Sequence, residues 1–148
     1  MSAIQKIIYE DFPLRNGVIQ PKIVLSYQLF GQPIGTAPLV LVNHALTGNS
    51  QVTGENGWWK SLIGENKTID TNKYTVLAFN IPGNGYQDEE NQIENYRDFT
   101  TFDIANLFWK GIDSLNIDSV VAVNGGSLGG AIARKMAFIR PKAIANLI

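Results

Sequence analysis

Three short apolar runs constrain this chain more than any other feature. Residues 39–42 read Leu-Val-Leu-Val, residues 74–81 form a second run stopped by Pro82-Gly83, and residues 119–123 form a third. Each is short and ends at a glycine-rich or polar turn, the pattern of strands buried on both faces of a parallel sheet. The clearest helix falls between the second and third runs. Ile104, Leu107, Phe108, Ile112 and Leu115 recur at helical spacing over 100–115, and Thr100 with Asp103 fits a capping box at its start. A second helix is expected over 129–139, ended by Arg140-Pro141, and 143–148 begins another apolar run. Upstream, Ile23, Leu25, Tyr27 and Leu29 alternate within 22–30, and Asn16-Gly17 predicts a hairpin turn joining that strand to one over 6–12. A short helix is expected over 58–63, a glycine-rich loop over 48–57 and an exposed acidic loop over 87–95. The order is a hairpin, then strands alternating with helices. That is an α/β fold with a mostly parallel sheet and an N-terminal antiparallel hairpin. No linker or internal repeat divides residues 1–148, which read as part of one domain.

Composition narrows the function. Twelve Lys and Arg against 13 Asp and Glu give a net charge of -1 with no basic stripe, so no nucleic-acid partner is expected. The same balance gives no attraction to an anionic membrane surface. The chain has no cysteine and one histidine, which excludes a disulfide framework, a cysteine-ligated metal and a histidine-rich metal site. Residues 1–12 carry Lys6, Glu10 and Asp11 in place of a signal-peptide apolar region, and no run approaches the length of a membrane span. A cytoplasmic protein without a membrane partner is the expectation.

Gly125-Gly126-Ser127-Leu128-Gly129 is a G-x-S-x-G sequence placed between a predicted strand and a predicted helix, the setting in which such a serine is a nucleophile. A sharp turn leaves no room for side chains two positions either side of the serine, so Gly125 and Gly129 are expected to be required there, with Gly126 and Gly130 loosening the turn further. The serine then stands at a helix N-terminus, where free N–H groups favour developing negative charge. A dinucleotide-binding turn is the other reading of such a loop, but its G-x-G-x-x-G spacing is missing. After the strand 39–42 comes His44-Ala45-Leu46-Thr47-Gly48. The backbone N–H groups of Leu46 and Leu128 are the candidate oxyanion donors, with His44, Thr47 and Gly48 supporting the loop. His44 precedes the serine, the reverse of the Ser–acid–His order of this arrangement, so a structural role is expected for it rather than that of a base.

The run His44-Ala45-Leu46-Thr47-Gly48, then Gly57-Trp58-Trp59, Ile63-Gly64, Ile69-Asp70-Thr71 with Tyr74, and Gly125-Gly126-Ser127-Leu128-Gly129-Gly130 resemble the homoserine O-acetyltransferase family in order and spacing. The resemblance runs from about residue 25 to the last residue. It implies an α/β-hydrolase fold and acyl transfer through an acetyl-serine on Ser127. Acetyl-CoA would be co-substrate and homoserine or a similar hydroxyl compound the acceptor, in methionine biosynthesis, with no bound cofactor and no metal. One departure stands out: where the family carries Gly-Ser-Thr-Gly-Pro after the strand ending at Asn80, this chain has Ile81-Pro82-Gly83-Asn84-Gly85-Tyr86 followed by Gln87-Asp88-Glu89-Glu90.

In the family the triad acid and histidine follow the serine. Here no His, Asp or Glu follows Ser127, so neither is in this chain. The expectation is the N-terminal part of a longer enzyme, cut after the strand following the nucleophile helix and inactive alone. The lid and a homodimer contact would belong to the remainder. An ester hydrolase of the same fold and a non-catalytic interaction domain are the alternatives.

Overall fold

The computed structural model describes residues 2–148; Met1, the first residue of the 1–12 segment, lies outside them, as does the side chain of Asn91. The chain forms β1 (Gln5–Pro13), β2 (Ile19–Gly31), β3 (Leu39–Asn43), β4 (Ile63–Gly64), β5 (Ile69–Asp70), β6 (Thr75–Phe79), α1 (Thr101–Ser114), β7 (Val120–Gly125), α2 (Leu128–Ile139) and β8 (Ile144–Leu147). Six strands make one sheet in the order β1-β2-β6-β3-β7-β8. β1 and β2 are antiparallel, β2 is antiparallel to β6, and β6, β3, β7 and β8 run parallel. The expected hairpin turn forms, with Gly17 at φ +92° and its N–H donating to the Leu14 carbonyl at 3.0 Å.

The chain leaves β3 in one direction, to β6, and then returns past it to β7 and β8. A right-handed crossover that reverses direction must change faces, and the packing follows that rule. Leu39, Leu41, Leu77, Phe79 and Val123 pack with Ile104, Phe108, Ile112 and Met136 of α1 and α2 in one core. On the other face Val40, Val42, Val76 and Ala78 meet Val52, Ile63 and Ile69 from the segment that joins β3 to β6. The uninterrupted apolar reading of β3 and β6 is thereby explained, since every residue of both strands is buried.

α1 begins as its sequence predicts. The Thr100 hydroxyl accepts from the Asp103 N–H at 3.2 Å, and an Asp103 carboxylate oxygen accepts from the Thr100 N–H at 2.9 Å. The other Asp103 oxygen accepts from the Arg15 N–H at 2.8 Å, which fastens the hairpin turn to the helix and pairs a carboxylate that is 2% exposed.

The helix expected over 58–63 does not form. The Trp58 and Trp59 N–H groups donate backwards to the Gln51 and Val52 carbonyls, and the helical bond from the Ile63 N–H to the Trp59 carbonyl at 3.0 Å is not continued because Ile63 enters β4. A turn carries the chain from Trp59 into β4, which pairs with β5 as a separate two-stranded sheet. Packing of Trp59 and Ile63 in the second core overrides the weak helical pattern, with Trp58 stacked on Trp59 at a centroid separation of 5.0 Å. The acidic loop over 87–95 is mostly exposed and includes a single 3-10 turn at Glu89–Asn91. Among the described residues no helix is long and apolar enough to cross a membrane.

Candidate active site

Because the order of the sheet reverses at β3, the carboxyl ends of β6, β3 and β7 lie side by side, the crevice in which open α/β sheets bind ligands. Three connections meet there: residues 44–51 after β3, residues 80–88 after β6, and the turn from β7 into α2.

Ser127 is that turn. It holds φ 54° and ψ -123°, a conformation that costs a non-glycine residue of order 1–3 kcal/mol and persists only where its surroundings enforce it. The enforcement is steric. A Cβ on Gly125 would collide with the backbone of Gly129, one on Gly129 with the carbonyls of Asn43 and His44, and one on Gly130 with the Gly125 carbonyl at 2.8 Å. Gly125, Gly129 and Gly130 therefore allow β7, α2 and the end of β3 to approach one another. Gly126 differs from its expected role: a Cβ there meets nothing within 4 Å, and its φ is not positive. Gly130, which the sequence only suggests as a loosening residue, is a contact the turn requires. Ser127 is exposed, and its hydroxyl makes no hydrogen bond to the described residues. Leu128 is the first residue of α2, so its N–H has no intrahelical partner.

The 44–51 connection is held from inside. His44 is 1% exposed. Its Nδ1 lies 2.6 Å from the Ala45 carbonyl, and its Nε2 accepts from the Ile81 N–H at 2.9 Å. Those two partners require the neutral ring with the proton on Nδ1. Burial also lowers the pKa, with the Ala45 carbonyl acting in the opposite direction. Both nitrogens are thus occupied within the fold, and the ring has no free lone pair with which to take a proton from Ser127. Gly48 closes a turn to the Ala45 carbonyl at 2.9 Å, and a Cβ on it would stand 2.8 Å from the His44 Cβ. Leu46 is 75% exposed, and its N–H makes no hydrogen bond to the described residues. Thr47 is exposed as well.

Sequence reasoning passes over the polar residues beneath this loop. Ser26, Gln28, Ser50 and Asn80 are all buried. Asn80 accepts at Oδ1 from the Ser50 N–H at 2.8 Å and from Asn84 Nδ2 at 3.1 Å. It donates from Nδ2 to the hydroxyls of Ser26 and Ser50, each at 2.9 Å. The Ser50 hydroxyl in turn donates to Gln28 Oε1 at 2.6 Å. The available signal was Asn80 itself, a polar residue at the end of a buried strand. Asn43, on the other side of β3, is the one described residue with a buried side-chain oxygen lacking a partner. Among the described residues no group of three or more His, Cys, Asp or Glu side chains stands close enough to hold a metal.

A strained, exposed serine between a parallel strand and a helix, at the point where strand order reverses, defines a class. The sequence profile of the alpha/beta hydrolase fold matches residues 38–148, and the chain belongs to that family. Within it, the chain is similar to a homoserine O-acetyltransferase of Corynebacterium diphtheriae, 31% identical over 88% of this chain and 37% of the relative. It is equally similar to a homoserine O-succinyltransferase of Nitrosomonas europaea, 31% identical over 91% of this chain and 41% of the relative. Among solved structures it resembles a homoserine O-acetyltransferase from Bacillus anthracis, with a TM-score of 0.84 at 23% identity, covering 99% of this chain and 46% of that one. The L374D mutant of esterase E22 superposes as well, with a TM-score of 0.84 at 22% identity over 99% and 46%. The chain thus spans about two fifths of the length of the curated relatives it matches.

Proposed function

We propose that these residues are the nucleophile-bearing part of a serine acyltransferase that moves an acetyl group from acetyl-CoA to the hydroxyl of homoserine or a similar acceptor. The observation that carries this reading is the Ser127 turn, an exposed and unpaired hydroxyl on a residue held at positive φ by three close glycine contacts. The names of the relatives supply the substrate class.

In this reading Ser127 Oγ attacks the thioester carbonyl and loses its proton to a base. The oxyanion is met by the N–H groups of Leu46 and Leu128, and the coenzyme thiolate leaves, taking up a proton. The acceptor hydroxyl then attacks the acetyl-serine by the reverse route and restores Ser127. No resident cofactor or metal enters these steps, since acetyl-CoA is consumed as a substrate. The base is not His44, whose ring is committed to Ala45 and Ile81, and no His, Asp or Glu follows Ser127. These 148 residues by themselves are therefore inactive in turnover, and the base and its acidic partner belong to other residues of the working enzyme. The cytoplasm, where acetyl-CoA is available, is the proposed site of action, and methionine biosynthesis the proposed pathway.

The test is to give the full natural polypeptide acetyl-CoA with and without L-homoserine, to follow O-acetylhomoserine and acetate, and to map the acetylated residue. Acetyl on Ser127 with transfer exceeding hydrolysis supports the proposal. Acetate as the dominant product would make the protein a hydrolase of the same fold, the class to which the superposed esterase E22 belongs. Acetyl on another residue, or none, would remove Ser127 as nucleophile. A parallel assay with succinyl-CoA decides between the two acyl donors named among the relatives.

A further inference from the structure

We infer that Asn80 is a positioning residue for the oxyanion donor of the 44–51 connection, an inference that rests on the proposed role of Ser127 and Leu46. The problem it addresses is mechanical. Leu46 is 75% exposed, so no packing fixes the peptide whose N–H would face the oxyanion. Within the connection the backbone makes one short turn, Gly48 N–H to the Ala45 carbonyl, and a second stands at its exit, Val52 N–H to the Ser50 carbonyl, each at 2.9 Å. Where the loop stands is decided by what holds its two ends.

The segment after β6 holds both ends, and at the back it is joined by Trp58, whose backbone N–H donates to the Gln51 carbonyl at 3.1 Å and whose Nε1 donates to the Asn49 carbonyl at 2.9 Å. At the front, His44 Nε2 accepts from the Ile81 N–H at 2.9 Å. At the back, the Ser50 N–H donates to Asn80 Oδ1 at 2.8 Å. Asn80 also takes the Asn84 amide at 3.1 Å, and Asn84 Nδ2 reaches the Gly48 carbonyl at 3.4 Å, in the middle of the loop. One carboxamide therefore joins β2 through Ser26, the loop through Ser50, and the 80–84 turn through Asn84. All four of its hydrogen-bonding directions are used, at 2% exposure. An amide suits the position because both polarities are needed. The Ser50 hydroxyl already gives its proton to Gln28 Oε1 at 2.6 Å, so it can only accept from Asn80. Removing the carboxamide leaves the buried Ser50 N–H unpaired and loosens the back of the loop, whose remaining holds are Trp58 at Asn49 and Gln51 and Gln28 at Ser50 and Gln51. Angstrom-scale misplacement of a catalytic group costs about 10²-fold in rate.

Asn80 does not reach the reacting atoms, so the test must separate loss of the oxyanion donor from loss of structure. These 148 residues hold no cysteine, so Ser127→Cys in the full natural polypeptide adds the one thiol of this segment, and peptide mapping locates the modified residue. Acetylation of that thiolate by 4-nitrophenyl acetate forms a C–S bond through a tetrahedral oxyanion and expels nitrophenolate. Alkylation by iodoacetamide forms a C–S bond by displacing iodide, with no oxyanion. With Asn80→Ala, acetylation is expected to slow by about 10- to 100-fold while alkylation holds at the parent rate. Asn84→Ala, at an exposed position, is expected to slow acetylation by a smaller factor, again without effect on alkylation. Equal loss of both reactions, or unchanged acetylation, overturns the inference. Should Asn80→Ala not fold, an unchanged ratio of the two rates in Asn84→Ala overturns it. A parent that is never acetylated at residue 127 removes the nucleophile reading and this inference together. A parent that is acetylated while the Asn80 variant matches it removes this inference alone.

Discussion

The turn at Ser127 and the connection at 44–51 face the same crevice but are specified in opposite ways. The turn is built by neighbours in sequence: Gly125, Gly129 and Gly130 clear the space, and Ser127 takes the one conformation left. Only the carbonyls of Asn43 and His44, met by Gly129, come from elsewhere in the chain. The 44–51 connection has few internal bonds and is fixed by partners outside it, Ile81 and Asn80 30 and more residues away, with Gln28 before it and Trp58 after it. A steric rule leaves a motif in the sequence. A hydrogen-bond network assembled by topology leaves scattered Ser, Asn and Gln that look like ordinary surface residues.

The comparison can be broken most severely at the nucleophile. Ser127→Ala in the full polypeptide is expected to lower acetyl transfer by about 10⁴-fold or more while leaving thermal unfolding unchanged, measured by product formation and circular dichroism. Substantial residual transfer would show that the turn is not where the chemistry happens. The next largest effect concerns the fold itself. Gly129→Ala forces a Cβ onto two backbone carbonyls that cannot rotate away and is expected to destabilise by about 3 kcal/mol in urea unfolding. Gly126→Ala, one position before the serine, has open space and is expected to stay within about 0.5 kcal/mol of the parent. Equal costs at the two positions would contradict the steric account.

The third prediction probes the 44–51 connection through pH. His44 is the single histidine of these 148 residues, and burial holds its folded-state pKa below its ordinary 6.5. The unfolded chain therefore binds a proton that the folded chain refuses, and stability falls as pH drops from 6.5 toward the depressed value. Asp70, lowered chiefly by the Asn72 and Asn66 N–H groups, and Asp113, lowered chiefly by Arg140, contribute stability that is lost only below their ordinary 3.8. In the interval between the two ranges, the difference between the parent and His44→Gln therefore reports His44. His44→Gln is expected to flatten the dependence there, and to cost about 1–3 kcal/mol at neutral pH if the Ile81 N–H loses its acceptor. Urea unfolding at a series of pH values measures both, and a slope that survives the substitution would show that His44 is not its source. The smallest effect is at the rim. Trp58 donates from Nε1 to the Asn49 carbonyl at 2.9 Å while remaining 41% exposed. Trp58→Phe removes that bond and keeps an aromatic ring against Trp59, at an expected cost of about 1 kcal/mol in the same assay.

The sequence reads well where physics is local. Leu39–Asn43 and Thr75–Phe79 are buried along their whole length, as their uninterrupted apolar character requires. Thr100 and Asp103 form the capping box their spacing announces. It reads less well where a side chain's partner is distant. The segment after Gly57 carries a weak helical pattern, yet Trp58 and Trp59 turn their N–H groups back to Gln51 and Val52. The alternation of Ile23, Leu25 and Tyr27 marks one buried face of β2 but gives no hint that Ser26 and Gln28 on the other are buried too.

Local spacing encodes the α/β order of elements, the hairpin, the helix cap and the glycine-bracketed serine. Each depends on residues within about one turn or one strand of each other, so spacing alone encodes it. Long-range packing places β3 between β6 and β7, turns both ring nitrogens of the histidine inward, and brings an asparagine 30 residues away to the Ser50 N–H of the loop beside the serine. Those outcomes depend on which strand ends become neighbours, and that is set by the direction of crossovers and the packing of two opposite faces rather than by any run of adjacent residues.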